Sequence, residues 1–179
     1  VPQLTAVMEC AAALKKSGVT VLYECDQAKK ECMDRYVGAY LRRDFAINGI
    51  GNTGNNTLGG VGGQDTLLGN GGNDILQGGD EDDRLNGGAG MDTLTGMEGS
   101  TSTLIGGAGD DTLQVSYWTN ANTFEGGTGS DNMTGGHQAD CYRFELGDGQ
   151  DTIADYRWYT ADGVLDDRIV FGAGIGPAD

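Results

Sequence analysis

Aspartates recur at a nine-residue spacing through the middle of this 179-residue chain. Asp65, Asp74, Asp83 and Asp92 are successive members of the series, and a glycine opens each unit five residues earlier. Calcium takes about six to eight oxygen ligands at roughly 2.3–2.6 Å, which carboxylates and backbone carbonyls supply. Glycine adopts positive φ readily, so a glycine-rich turn can present its carbonyls at close range. The pattern therefore predicts a row of calcium sites in successive turns.

The repeating unit has the consensus Gly-Gly-x-Gly-x-Asp-x-U-x, where U is a large apolar residue. Units begin at residues 51, 60, 69, 78, 87 and 96, and one inserted residue moves the next start to 106. A longer interruption that contains Tyr117, Trp118 and Phe124 precedes units at 126 and 135. The first unit has Asn56 in place of aspartate, and the unit from residue 96 has Thr101 there.

The candidate metal ligands are the sixth-position side chains and the glycines of the turns. They are Asn56, Asp65, Asp74, Asp83, Asp92, Asp111, Asp131 and Asp140, with Gly60, Gly63, Gly69, Gly72, Gly78, Gly87, Gly90, Gly106, Gly109, Gly126 and Gly129. Residues 48–179 hold 21 acidic and 4 basic residues. We expect about five to seven Ca²⁺ ions, which would offset most of this charge.

A short strand must follow each turn. In an x-U-x segment the apolar side chain points inward while its neighbours point outward. One unit cannot bury that side chain, but a stack of units can. Two units would form one coil, so the sequence predicts a mainly β fold, a parallel β-roll (β-solenoid) with calcium in its turns. The expected core is Leu58, Leu67, Leu76, Leu85, Leu94, Leu104, Leu113, Met133 and Tyr142.

These units resemble the RTX nonapeptide repeat, a known calcium-binding pattern. The resemblance implies that each ion lies between repeat n and repeat n+2. Asp65 would then pair with Asp83, Asp74 with Asp92, and Asp92 with Asp111. Without metal, one core residue in nine is too few to offset the ordering of the backbone, so this segment should be unfolded.

The chain after the repeats resembles the haemolysin-type calcium-binding cap that follows RTX repeats. The resemblance lies in residues 142–156 and 167–172. A solenoid needs an element that covers its last coil, and Phe144, Ile153, Tyr156, Ile169 and Phe171 are the expected cover. Asp148, Asp151 and Asp155 would ligate a further ion or be solvated acidic loop positions.

The first 47 residues differ from the rest in charge, with 7 basic and 6 acidic residues. Helix-forming residues over 6–16, a β-branched run over 19–23 and an apolar stripe over about 27–43 predict a small α/β appendage. The expected domains are thus residues 1–47, the roll over 48–143 and a capping segment over 144–179. Cys25 and Cys32 are close enough in sequence for a local disulfide, although four cysteines allow three pairings.

Several functions are disfavoured. A net charge of −16 repels nucleic-acid phosphates, and no run of 18 apolar residues predicts a membrane span. The single histidine, His137, excludes an H-E-x-x-H zinc-protease motif, and no G-x-S-x-G elbow occurs. We therefore expect no enzyme activity. The third positions form no threonine ladder, which argues against ice binding. Tyr117, Trp118, Trp158 and Tyr159 would either stack on sugars or pack the interruption and the cap.

The predicted function is that of a calcium-binding module in a larger, secreted or cell-surface RTX protein. The resemblance implies export by a type I secretion apparatus, with the repeats unfolded at low cytosolic calcium and folded by calcium outside. Two alternatives remain: an adhesive or spacer module that contacts a host surface or glycan, and an accessory domain of a secreted enzyme whose catalytic domain lies upstream.

Overall fold

The described chain consists of strands and turns. A computed structural model describes residues 20–22, 46–97, 101–118, 120–156 and 167–175, and within these ranges no helix is present, so no membrane-spanning helix either. The strands are β1 (Thr20–Leu22), β2 (Asn48–Ile50), β3 (Thr57–Gly62), β4 (Thr66–Gly71), β5 (Ile75–Asp80), β6 (Arg84–Ala89), β7 (Thr93–Gly96), β8 (Thr103–Ala108), β9 (Thr112–Val115), β10 (Thr123–Thr128), β11 (Asn132–Thr134), β12 (Cys141–Phe144), β13 (Thr152–Ala154) and β14 (Arg168–Phe171).

The strands form two parallel sheets, and from β2 onward the chain alternates between them. One sheet has the order β1-β2-β4-β6-β8-β10-β12-β14 and the other the order β13-β11-β9-β7-β5-β3. Leu67 pairs with Leu85 in the first sheet, and Leu58 pairs with Leu76 in the second, so equivalent positions of consecutive coils are two repeats apart. This register confirms the predicted β-roll with two nonapeptides in each coil.

One large apolar side chain from each repeat, contributed alternately by the two sheets, forms the core column between them. All nine expected core residues are at most 2% exposed, and five of the leucines are completely buried. The strands show alternating burial, as in β3, where every second residue is buried. The predicted inward orientation of the eighth repeat position is therefore confirmed.

Phe124 also belongs to this column, which corrects the sequence interpretation. Phe124 was expected in an interruption of the repeats, but it is completely buried and pairs in register with Leu104 and Tyr142. Its ring stacks on that of Tyr142 at a centroid distance of 5.0 Å. Residues 123–128 are thus a further repeat strand, whose turn is too divergent to match the consensus.

Coil length varies without loss of register. Arg84 pairs with Thr103, which makes this coil one residue longer than two nonapeptides. Thr103 pairs with Thr123, so the next coil is longer by one residue again. The coil from Thr123 to Cys141 returns to the length of two nonapeptides. Extra residues are therefore accommodated in the turns, while the buried column stays aligned.

The segment after the repeats continues both sheets. Ile153 pairs with Met133, and Ile169 pairs with Tyr142. Phe144 and Ile153 are half-buried against the core, as expected of covering residues. Tyr156, Ile169 and Phe171 instead remain 44%, 53% and 60% exposed, so the expected cover is formed only in part.

Little of the predicted appendage is described. The strand expected over residues 19–23 corresponds to β1, which pairs in parallel with β2. The two predicted helices and Cys10, Cys25 and Cys32 lie outside the described residues. Cys141, the described cysteine, is a half-buried free thiol.

We expect Val61→Gly to stabilise the roll. Val61 has a φ of 82°, whereas glycines occupy the same second repeat position with positive φ in later coils, as at Gly79 and Gly88. A β-branched residue is strained in this conformation, and Val61 is 43% exposed, so little burial is lost. Relief of the strain should add about 1 kcal/mol to the free energy of unfolding. Urea denaturation in excess calcium would measure this change in the free energy of unfolding.

Ile75→Gly is the matched control for this prediction. Ile75 is similarly exposed, at 44%, but lies in a strand without positive φ. This substitution should lower the free energy of unfolding, because glycine weakens a strand. An equal loss of stability in both variants would contradict the strain argument.

Candidate metal centre

The turns of the roll line up along two edges, each with one polar side chain in each coil. We call the turns before the even-numbered strands edge one and those before the odd-numbered strands edge two. Edge one carries Asp65, Asp83, Ser102, Asn122, Asp140 and Asp167, and edge two carries Asn56, Asp74, Asp92, Asp111, Asp131 and Asp151. Each of these side chains lies immediately before a strand, which fixes its position relative to the coils beside it.

A ladder of hydrogen bonds links these side chains from coil to coil. On edge two, Asp92 Oδ1 accepts the backbone N–H of Asp74 at 2.7 Å, and Asp111 Oδ1 accepts that of Asp92 at 2.7 Å. On edge one, Asp83 Oδ1 accepts the N–H of Asp65 at 2.9 Å. The structure thus brings together the three aspartate pairs that the sequence analysis named.

The second carboxylate oxygen of six ladder aspartates has no such partner, whereas Asp140 Oδ2 accepts the backbone N–H of Gly136 at 2.8 Å. The Oδ2 atoms of Asp65, Asp74, Asp83, Asp92, Asp111 and Asp131 are buried and accept no hydrogen bond. A buried carboxylate oxygen without a partner is strongly unfavourable. A cation beside each of these atoms would remove this penalty.

The first glycine of each repeat leaves the space in which such a cation would fit. A Cβ at Gly69 would overlap with Asp74 Oδ2 and with the carbonyl oxygen of Gly87, one coil later. The same two kinds of oxygen surround Gly60 and Gly106. In the described part of the chain no three acidic, histidine or cysteine side chains converge on one point, so any ion here would depend on backbone oxygens. Carboxylate and carbonyl oxygens together suit calcium.

The remaining predicted glycines shape the same turns. Gly63, Gly72, Gly90, Gly109 and Gly129 have positive φ at the fourth repeat position, and Gly78, Gly87 and Gly126 lie at the first position beside an aspartate. Glu81 replaces the fourth-position glycine in one turn and keeps a φ of 74°. The turn conformation is therefore preserved at Glu81, although the consensus glycine is lost there.

Burial makes these carboxyl groups hard to ionise in the absence of metal. Loss of solvent raises the pKa of Asp65 and Asp131 to about 6 and that of Asp83 and Asp111 to about 7. Neighbouring ladder carboxylates raise the pKa of Asp83 and Asp111 further, since like charges repel. A divalent cation beside these carboxylates would lower their pKa values again, because it favours the ionised form.

Three ladder positions were not predicted from the sequence. Thr101 was expected at the sixth position, but it is exposed, and Ser102 takes the ladder position: its N–H bonds to Asn122 Oδ1 at 2.8 Å. Asn122 in turn bonds through its N–H to Asp140 Oδ1, at 2.7 Å. Asp167 accepts the N–H of Asp140 at 3.2 Å. Counting back two residues from the buried apolar residue, rather than forward from the glycine, would have found the first two.

The three carboxylates proposed for one extra site have separate positions. Asp151 Oδ1 accepts the N–H of Asp131 at 2.9 Å and extends edge two. Asp148 is buried and accepts the N–H of Glu145 at 2.5 Å. Asp155 Oδ2 accepts the Tyr142 hydroxyl at 2.6 Å. Only Asp151 therefore joins the ladder directly.

Comparison with known families places these repeats. The family described as the RTX calcium-binding nonapeptide repeat (4 copies) matches residues 50–81, 59–94, 68–102, 100–114 and 119–153, which together cover more than half of the chain. The chain belongs to the RTX repeat family. Neither the curated proteins nor the solved structures gave a match. RTX nonapeptide repeats bind calcium, and the RTX β-roll is a structural calcium-binding fold.

Gly69→Ala should weaken calcium binding by the RTX roll. The added methyl group would occupy the space between Asp74 Oδ2 and the Gly87 carbonyl. We expect isothermal titration calorimetry to show about one bound ion fewer, because the methyl group fills one ion site. Gly59→Ala is the control, because a Cβ at Gly59 meets nothing within 4 Å. Equal calcium binding by both variants would contradict the assignment.

Without metal, the RTX roll should gain stability as the pH falls. The pKa of Asp83 and Asp111 is about 7 in the folded chain, against an ordinary value of 3.8 that unfolding restores. The folded state therefore binds these protons more tightly, and the resulting stability is full below about pH 4 and lost as the pH rises to about 7. In chelator, circular dichroism should show more β structure at pH 5 than at pH 8.

Two asparagine variants separate this effect from overall charge. Asp111→Asn imitates the protonated side chain and should flatten the pH dependence. Asp80→Asn removes the same charge from an exposed side chain and should leave the pH dependence unchanged. Greater stability of the chelated roll at pH 8 than at pH 5 would refute the argument.

Proposed function

We propose that calcium drives the folding of this β-roll, which is secreted and stabilises the C-terminal part of a larger protein. One observation carries the proposal: buried Oδ2 atoms lie beside carbonyl oxygens of the next coil at the first-position glycines Gly60, Gly69 and Gly106. A divalent ion in each such place would join two coils and neutralise two carboxylates. Folding would then require metal, because the two sheets share only a single column of apolar side chains.

The ligand assignment follows from the ladder. The proposed ligands are the sixth-position carboxylates with the carbonyl oxygens of the first-position glycines. Two aspartates face each other across consecutive coils at four steps of edge two and at two steps of edge one. Ion sites at these steps would agree with the five to seven expected from the sequence. Ser102 and Asn122 supply no carboxylate, so the calcium series on edge one is interrupted there.

Secretion and folding are linked in this proposal by the calcium gradient. Inside the cell, calcium is too scarce to fill sites of the extracellular class, whose Kd values are about 10⁻⁴–10⁻³ M. The repeats would stay unfolded and pass a type I secretion channel, and external calcium would then assemble the coils. The acidic composition supports this order of events, since self-repulsion opposes folding until the ions bind.

The deciding experiment is a calcium titration of chelator-treated protein, followed by far-UV circular dichroism. We expect a cooperative gain of β signal at about 10⁻⁴–10⁻³ M calcium. Magnesium should not replace calcium, because it demands octahedral geometry and gives up its waters reluctantly. A β spectrum that chelator leaves unchanged would reject the folding switch and favour a constitutive spacer module.

A further inference from the structure

The interruption on edge one carries an aromatic cluster. The turn that follows β9 ends at Asn122, where the ladder lacks carboxylates, and it contains Tyr117 and Trp118. These two side chains are 52% and 59% exposed. The chain thus places two large rings in solvent at the point where the calcium series is broken.

Contacts with the next two turns of edge one, after β11 and after β13, hold the cluster in place. The Tyr117 ring stacks on His137 at a centroid distance of 5.7 Å and meets the edge of Tyr156 at 4.7 Å. The Trp118 ring contacts His137 at 5.1 Å. The His137 backbone N–H donates to the Tyr117 carbonyl at 3.0 Å, and His137 Nδ1 donates to the Tyr156 carbonyl at 2.7 Å. The cluster is therefore fixed before any ligand arrives.

A groove of about 370 Å³ opens beside the Tyr117 and Tyr156 rings of this cluster. Its walls combine Tyr117 and Tyr156 with the polar side chains of Thr95, Gln114, Ser116 and Thr134. Gln114 Nε2 donates to Thr95 Oγ1 at 3.3 Å, so hydroxyl and amide groups of neighbouring strands form a row. Among the described residues, no charged side chain lines the groove.

The sheet that carries this groove is neutral on its outer face. The outward seventh and ninth repeat positions of the odd-numbered strands from β3 to β13 include no charged residue, although the chain has a net charge of −16. The corresponding positions of the other sheet include Arg84, Glu125, Arg143 and Arg168. The groove is thus a neutral polar site on an acidic molecule.

We propose that this groove binds a neutral carbohydrate, with the exposed rings of Tyr117 and Tyr156 against the sugar. Exposed aromatic rings offer a flat apolar surface with low entropy cost, while the Thr95, Gln114 and Thr134 side chains match sugar hydroxyls. Purely apolar ligands would leave these polar groups without partners, and anionic glycans would be repelled by the acidic chain. The inference goes beyond calcium-dependent folding and adds a recognition function to the roll.

The test is calorimetry of the calcium-saturated protein with defined sugars. Cellohexaose, chitohexaose and mannohexaose are the neutral probes, and hexagalacturonate is the anionic one. We expect at least one neutral probe to bind with a Kd of about 1 mM or tighter. Hexagalacturonate should bind at least about tenfold more weakly. Circular dichroism of each sample verifies that the roll is folded, so a failure of calcium-driven folding is seen separately.

Matched variants locate the binding site. Tyr117→Ala and Tyr156→Ala should each weaken binding of the neutral probe about tenfold, or about 1.4 kcal/mol. Tyr117→Phe keeps the ring and should retain binding. Phe171→Ala removes an equally exposed ring from β14, in the other sheet, and should have no effect. Absence of heat with all three neutral probes, equal affinity for hexagalacturonate, or binding unaffected by both alanine variants would overturn the proposal.

Discussion

The roll depends on buried carboxylates of which only one oxygen accepts a hydrogen bond from the protein. In each ladder, one aspartate oxygen is held by a backbone N–H of the preceding coil, and this hydrogen bond fixes the side chain in its buried position. The other oxygen is left with a carbonyl oxygen nearby and no donor. Protein groups alone therefore create an arrangement that repels itself. A cation at each step would convert that repulsion into cohesion between coils.

Core and turns have separate tasks in this fold. The column of leucines sets the register, because each coil places one side chain directly over the equivalent one in the next coil. That column is only one residue wide in each sheet, so it cannot resist the repulsion of a strongly acidic chain by itself. Cohesion between coils must come from the edges, where burial has already raised the pKa of the aspartates.

The fold could be predicted because the nine-residue period is visible in the residues that form the turns, the candidate metal sites and the core. Nine-residue spacing of glycine, aspartate and leucine predicts turn, ligand and core positions together, and the structure confirms the turn and core positions over the regular coils. Prediction failed where the sequence of a turn departed from the nonapeptide consensus. Phe124 was overlooked because no glycine pattern precedes it, and Ser102 was missed because an inserted residue shifts the count. In both places the buried column kept its alignment while the turn sequence drifted.

Prediction was weaker for side chains whose role depends on neighbours from other coils. Nothing in the sequence near Tyr117 indicates His137 or Tyr156 as its contacts, since these residues lie one and two coils later. Likewise, Asp148, Asp151 and Asp155 are close in sequence but bond to different parts of the roll. Proximity along a solenoid is set by the coil length rather than by sequence distance.

The tolerance of single coils for one or two extra residues has an evolutionary consequence. Each coil contacts only its two neighbours, so duplication or deletion of a coil-sized gene segment leaves every remaining contact of the same type. A turn can also lengthen without disturbing the strands on either side. Such a scaffold lets new surface loops arise one coil at a time, and the aromatic turn after β9 lies in one of the lengthened coils.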